Sequence, residues 1–255
     1  MSEPIFNSLI WGMSALAAIV FVCLYFVNAG YGQFRTHKWG WSINNKIAWT
    51  LMEAPVFVVM ATIWWTSGRS LHVPELVLFL LFELHYFQRS FVFPWLMTGI
   101  GRMPVAIMLM GITFNVINGL MQGGGLYWFP NPDFAEGATY LLRWNAVAGI
   151  TLFLAGMAVN WHSDHVIRHL RRPGDTRHYL PQGGMYRYVT SANYLGELTE
   201  WTGFALAAAT PVAWVFPVWT AANLVPRAHA IHKHYRAEFG DEAVGNRKRI
   251  LPFVY

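Results

Sequence analysis

NWHSDHVIRHLRRPG (160–174) and YLPQGGMYRYVTSANYLGELTEW (179–201) make a polar block, dense in Arg, His, Asn and Tyr, between two runs of almost pure hydrocarbon side chains. Charged and hydrogen-bonding groups bracketed by apolar spans describe a chamber for an anionic ligand at a membrane surface. The rest of the chain agrees with a membrane setting. It is 55% hydrophobic and only 12% charged, with 13 Trp, whereas soluble proteins carry about 25% charged residues. No internal repeat or low-complexity tract divides it, so one membrane domain accounts for residues 1–255.

A helix needs about 20 apolar residues to cross a bilayer. Seven windows qualify, at 8–28, 46–66, 74–94, 102–121, 140–160, 192–209 and 212–233, the last two parted by Thr210-Pro211. Lys and Arg collect in loops on the synthesis side. Arg35, Lys38, Lys46, Arg102, Arg168, Arg171, Arg172, Arg177, Arg187, Arg236, Arg247, Lys248 and Arg249 fall on one set of connections, while the alternate set holds Arg69 and Arg143 beside Asp133 and Glu136. The expected fold is thus all-α, a bundle of seven transmembrane helices with the N-terminus outside and the C-terminus cytoplasmic. MSEPIFNSLIW lacks the basic start of a cleavable signal, so the first span is expected to stay as a helix. The single Cys23 excludes an internal disulfide. The net charge of +5 follows the topology and does not point to nucleic acid.

Ionisable groups inside spans cost at least ~2.5 kcal/mol each at the centre and mark sites or pathways. Glu53 lies in the second span, Glu83, His85, Tyr86 and Arg89 in the third, Asn115, Asn118 and Gln122 in the fourth, Glu197 and Glu200 in the sixth. Glu83 with Arg89, and Glu200 with an arginine, are the expected ion pairs. Glu53 has no base near it in sequence. It is therefore either neutral in a dry pocket or held by a hydrogen-bonding partner across the bundle, and with the Tyr86 phenol it can polarise a ketone. Asn160, Asp164, Arg168 and Arg171 are spaced four, four and three apart. A helix running on from the fifth span would put them on one face, with Asp accepting from ribose or amide hydrogens and Arg meeting phosphate. Asn193, Glu197 and Glu200 repeat that pattern. No G-x-G-x-x-G joins a strand to a helix, so helices and loops of the bundle must hold any nucleotide. His162, His165 and His169, or His229, His232 and His234, could share a metal, but no His-His pair or carboxylate-rich box accompanies them, and no metal is expected.

Read as a whole, the chain resembles the steroid 5α-reductase family, the integral-membrane 3-oxo-5α-steroid 4-dehydrogenases. The resemblance rests on Tyr31-Gly32, Glu53 before Pro55, Leu84 through Arg89, Asn118-Gly119 with Gln122, and Asn160-x-His162-Ser163-Asp164 through Gly174. Pro181-Gln182-Gly183-Gly184, Ser191 through Trp201, Arg227, Tyr235 and Pro252-Phe253 complete it. It implies NADPH as hydride donor and a steroid or sterol-like 3-oxo-Δ4 enone as substrate, with Glu53 and Tyr86 on the 3-ketone. It also implies that Asn160, Asp164, Arg171, Asn193, Glu197, Arg227 and Tyr235 hold the cofactor, together with Arg168 and with Tyr31 at its outer end. Residues 1–121 would then serve mainly the substrate and 140–255 mainly NADPH, in a lipid-embedded monomer. A bacterial inner membrane is the expected location, or the endoplasmic reticulum in a eukaryote. Met52 and Met110 stand where animal members carry glutamine and arginine, and 228–232 reads AHAIH where they have a His-rich block. Competing readings are a 2-enoyl-CoA reductase, a membrane methyltransferase and a sterol-binding protein without catalysis.

Overall fold

The computed structural model describes residues 1–27, 30, 34, 39–68, 72–98, 101–171, 175 and 177–255. Tyr31, and Arg35, Lys38, Arg69 and Arg172 of the charge pattern, lie outside the described residues. The chain is mostly helical: α1 (Glu3–Phe26), α2 (Asn45–Ser67), α3 (Val73–Phe87) running through a π-turn (Gln88–Val92) into α4 (Phe93–Leu96), α5 (Val105–Tyr127), α6 (Trp144–Arg168), α7 (Ala192–Ala208), α8 (Pro211–Phe239) and α9 (Asp241–Val244). Among the described residues five helices are long and apolar enough to cross a membrane: Glu3–Phe26, Asn45–Ser67, Val73–Leu96, Val105–Tyr127 and Trp144–Arg168. The sixth and seventh windows expected from the sequence are the helices α7 and α8, which are not among these five. Glu197 and Glu200 in α7 and the Arg, His and Lys residues of α8 make them more polar than the other five.

Boundaries differ from the hydropathy windows for local reasons. The fourth window opens on Arg102–Pro104, which forms strand β2 instead of helix and pairs antiparallel with β1 (Ser42–Asn44), Ser42 opposite Pro104. This short ribbon feeds α2 and α5 from the same end, so the two helices run side by side in parallel. The fifth span starts at Trp144 rather than 140, because Pro132–Leu142 is a 3-10 segment. Asn131, Tyr140 and Asn145 there donate to the carbonyls of Ala208, Ala207 and Leu206, satisfying the open end of α7.

Two helix pairs make the frame, and glycine sets both. In lipid, apolar burial does not drive helices together, so close packing of small residues takes over. A Cβ on Gly156 would lie 2.4 Å from the Glu200 amide nitrogen and 2.6 Å from the Gly196 oxygen, and one on Gly203 2.4 Å from the Phe153 nitrogen. Gly149 meets Ala207 and Gly203 in the same way. Thus α6 and α7 touch backbone to backbone along an antiparallel seam. On the other side Gly111, Gly119 and Gly123 of α5 receive Met52, Val59 and Ile63 of α2.

Between the pairs lies an aromatic core of Phe82, Tyr86, Phe153, Trp201, Phe204 and Phe216. The α1 helix lies alongside α8 in parallel: the Trp219 indole donates to the Met13 carbonyl at 2.8 Å, and Tyr25 packs edge-on against His229. The N-terminus and the C-terminal tail therefore sit at opposite ends of the bundle. The tail folds back, with Lys248 and Arg249 carbonyls accepting from Thr190 and Ser191 just ahead of α7.

Gly156→Ala should cost about 3 kcal/mol, the upper range for overpacking, read as a lower denaturation midpoint in detergent. Gly12→Ala, whose Cβ meets nothing within 4 Å, should shift it by no more than about 0.5 kcal/mol. Equal effects would contradict the seam.

Candidate active site

α3 carries Tyr86 and the π-turn that continues it carries Arg89, and their partners lie on α2 and on α4 through α8. Tyr86 is 3% exposed, with Trp201 at 5.7 Å between ring centroids and Phe216 stacked at 6.4 Å. Its phenol oxygen accepts from Asn118 Nδ2 at 3.4 Å. One turn earlier on α5, Asn115 Nδ2 donates to Glu53 Oε2 at 3.2 Å and to the Met52 carbonyl at 2.7 Å. Pro55 opens the hydrogen-bond ladder of α2 at this turn, and Asn115 docks there. The partner across the bundle that Glu53 requires is thus a carboxamide. Two asparagines three residues apart hold an acid and a phenol on adjoining sites, and Glu53 lies within electrostatic range of Tyr86.

The expected ion pairs are rearranged. Arg89 does not pair with Glu83. Its guanidinium meets Asp164 Oδ2 at 3.2 Å and Glu197 Oε2 at 3.6 Å, over the rings of Phe93 (4.5 Å) and Trp49 (5.2 Å). The π-turn beginning at Gln88 re-aims the side chain, as such insertions do at functional sites. Glu200 takes His85 rather than an arginine, Oε1 to Nδ1 at 2.7 Å. Glu83 is buried with no hydrogen-bond partner on either oxygen among the described residues.

Beyond Arg89 opens a polar cleft of about 370 Å³, walled by Lys46, Asp164, Arg168, Arg171, His178, Tyr179, Asn193 and Tyr235, a volume within the range of small-molecule sites. Five residues read from the sequence as nucleotide ligands, Asp164, Arg168, Arg171, Asn193 and Tyr235, therefore converge. The helical face ends sooner than its spacing implied. The last residue of α6 is Arg168, and Arg171 reaches the cleft from the loop beyond. Asn160, Glu197 and Arg227 are held by protein groups: Asn160 Nδ2 donates to the Asn193 carbonyl at 2.9 Å, Glu197 accepts from Arg89, and Arg227 Nε donates to Tyr194 at 2.8 Å. Asn193 in turn donates to Asp164 Oδ1 at 3.5 Å. Burial pushes the Tyr235 phenol up to about 12, so it stands at the cleft as a neutral donor. Lys46, Arg168 and Arg171 beside Asp164, Asn193 and Tyr235 offer cations for phosphate and both donors and acceptors for ribose or amide, a set that fits an anionic dinucleotide.

Of the substituted positions, Met52 is seated on Gly111 and Met110 is 57% exposed. His165 and His169 stack with ring centroids 4.0 Å apart. The metal-like grouping among the described residues is a different one, His178, His234 and Glu238, and its spacing in sequence gave no sign of it. Asn115 and Asn118 were visible as polar intruders, but nothing in their own helix says what they hold.

Compared with known proteins, residues 101–255 match the family model described as 3-oxo-5-alpha-steroid 4-dehydrogenase. The chain is 34% identical over 252 residues to 3-oxo-5-alpha-steroid 4-dehydrogenase 1 of Bos taurus, covering 94% of this chain and 93% of the relative. It is 37% identical over 252 residues to 3-oxo-5-alpha-steroid 4-dehydrogenase 2 of Sus scrofa (96% and 95%). Steroid 5-alpha-reductase DET2 of Gossypium hirsutum is 32% identical over 263 residues (99% and 98%). These relatives come from animals and a plant and lend no support to a bacterial inner membrane.

Arg89→Met leaves Asp164 and Glu197 facing each other without a base, and should destabilise the protein by about 3–5 kcal/mol. Adding Asp164→Asn to that variant should recover part of the loss in detergent unfolding. A neutral Arg89→Met would show that the ion cluster carries no structural weight.

Proposed function

The chain belongs to the 3-oxo-5α-steroid 4-dehydrogenase family of oxidoreductases, and we propose that it reduces the Δ4 bond of 3-oxo-Δ4 steroids to 5α products with NADPH. The observation that carries this reading is that Asn115 donates to Glu53 while Asn118, one turn on in the same helix, donates to Tyr86, and that Arg89, three residues after Tyr86, binds the Asp164 that lines the cleft. Asp164, Arg168, Arg171, Asn193 and Tyr235 bind the cofactor directly. Asn160, Glu197 and Arg227 fix the elements that present them.

Bound there, the nicotinamide supplies the hydride that enters at C5 of the steroid. Electron density then moves through the enone to the 3-oxygen, where Glu53 and Tyr86 donate hydrogen bonds. Because the oxygen gains charge only as C5 is reduced, these donors stabilise the transition state more than the bound ketone. Asn115 fixes Glu53 Oε2 and leaves the other oxygen to carry a proton toward the ketone. Asn118 donates to the phenol and so directs its hydrogen outward. A proton from water at C4 completes the product. The aromatic core keeps bulk water away from the hydride transfer, and the sterol skeleton enters sideways from lipid among α1 to α5. In this reading α7 and α8 complete a seven-helix bundle with its arginine-rich end, including Arg168, Arg171, Arg236 and Arg247, in the cytoplasm and the N-terminus outside.

Mass spectrometry after incubation with NADPH and a panel of Δ4-3-ketosteroids and enoyl-CoAs should give dihydro-steroids alone; reduction of the thioesters instead would overturn the substrate class. Glu53→Gln and Tyr86→Phe should each lower kcat by about 10²-fold or more with NADPH affinity nearly unchanged. A weakened NADPH affinity with kcat at saturating NADPH unchanged would reverse the assignment of roles.

A further inference from the structure

Near the end of α8, His234 and Glu238 stand one turn apart, and His178 reaches them from the loop that walls the cleft. His178 Nδ1 lies 2.9 Å from Glu238 Oε1, and His234 Nε2 lies 2.9 Å from Glu238 Oε2. One ligand atom from each of the three falls within 4.8 Å of the others. We propose that these side chains form a site for a divalent transition-metal cation of the zinc class, and that a bound ion fastens the His178 segment to α8 across the rim of the cleft.

The chemistry is that of the donor set. Two neutral imidazoles and one carboxylate suit a borderline cation, and three protein ligands leave a fourth position for water. An i, i+4 pair on a helix presents two ligands on one face at suitable separation. His178 Nδ1 already shares a hydrogen bond with Glu238 Oε1, whereas His234 Nε2, although 2.9 Å from Glu238 Oε2, is buried and makes no hydrogen bond among the described residues, so a cation between them would take the first proton's place and satisfy the second nitrogen. The three side chains are 44%, 34% and 31% exposed, which leaves the His178 side open for an ion to enter. No catalytic role competes for the three residues, since the carbonyl-binding pair and Arg89 lie deeper in the bundle.

The consequence follows from position. His178, its neighbour Tyr179 and Tyr235, the residue after His234, all line the cleft. Joining His178 to His234 and Glu238 therefore ties two walls together and hinders exchange of whatever the cleft holds. That second part rests on the reading of the cleft as the NADPH site; the ion site itself does not.

The test uses the full-length protein without an affinity tag, in detergent, titrated with Co²⁺ and then Zn²⁺. Visible d–d absorption from one equivalent of Co²⁺, bleached by Zn²⁺, is expected. His178→Ala, His234→Ala and Glu238→Gln should each weaken Co²⁺ binding by about tenfold or more, while His165→Ala/His169→Ala leaves it unchanged. No absorption, or equal affinity in all variants, overturns the site. In stopped-flow fluorescence Zn²⁺ should slow NADPH release several-fold in the wild type and not in His178→Ala; unaltered release despite bound ion overturns the fastening. A protein that binds Co²⁺ as described but never NADPH would overturn the cofactor reading and leave the ion site standing.

Discussion

The backbone contact between α6 and α7 is the constraint on which the rest depends. Gly149 and Gly156 on one helix and Gly196 and Gly203 on the other recur at seven-residue spacing, and each faces main chain where any side chain would collide. With the helices this close, the polar end of α6 is set directly against the start of α7. Asn160 then reaches the Asn193 carbonyl, and Asp164 and Glu197 come near enough to share one arginine. Widening the seam by the thickness of a methyl group would leave these groups stranded in a medium where an unpaired charge is costly.

Arg89 joins the two halves of the molecule. It comes from the π-turn that continues α3, the helix that carries Tyr86, and it binds acids from α6 and α7. The end that carries Glu53 and Tyr86, organised by α2, α3 and α5, is thereby tied to the cleft bordered by α6, α7 and α8. Two carboxylates meet one guanidinium at that junction, while the cations Arg168, Arg171 and Lys46 lie along the cleft wall. The buried His85–Glu200 pair stiffens the same region from behind, packed edge-on to Trp201 at 4.5 Å.

Much of this was legible in the sequence, and what was not has a common cause. Hydropathy locates each long helix but misses ends by up to about eight residues, as at α6, which runs on to Arg168, and i, i+4 spacing places Asn160, Asp164 and Arg168 on one face. Spacing within a helix cannot report how neighbouring helices are rotated, so Arg89 was matched with Glu83 on its own helix while its partners lay on α6 and α7. The same limit hid the roles of Asn115 and Asn118, and the meeting of His178 with Glu238, 60 residues away. Arg171 was placed on a helix that ends at Arg168, because a polar periodicity can persist past the last helical hydrogen bond. Hydropathy also ranks α7 and α8 with the other spans, although α7 holds Glu197 and Glu200 in ion pairs with Arg89 and His85 and α8 is rich in Arg and His.

The location of an isotope tests the central claim most directly. Wild-type protein in lipid nanodiscs, given a Δ4-3-ketosteroid and NADPH carrying deuterium at both C4 positions of the nicotinamide, should yield a 5α-dihydro product with one deuterium at C5 and none at C4. Deuterium at C4, an unlabelled reduced product, or no reduction of the enone would contradict an account in which the nicotinamide faces C5 while Glu53 and Tyr86 hold the ketone.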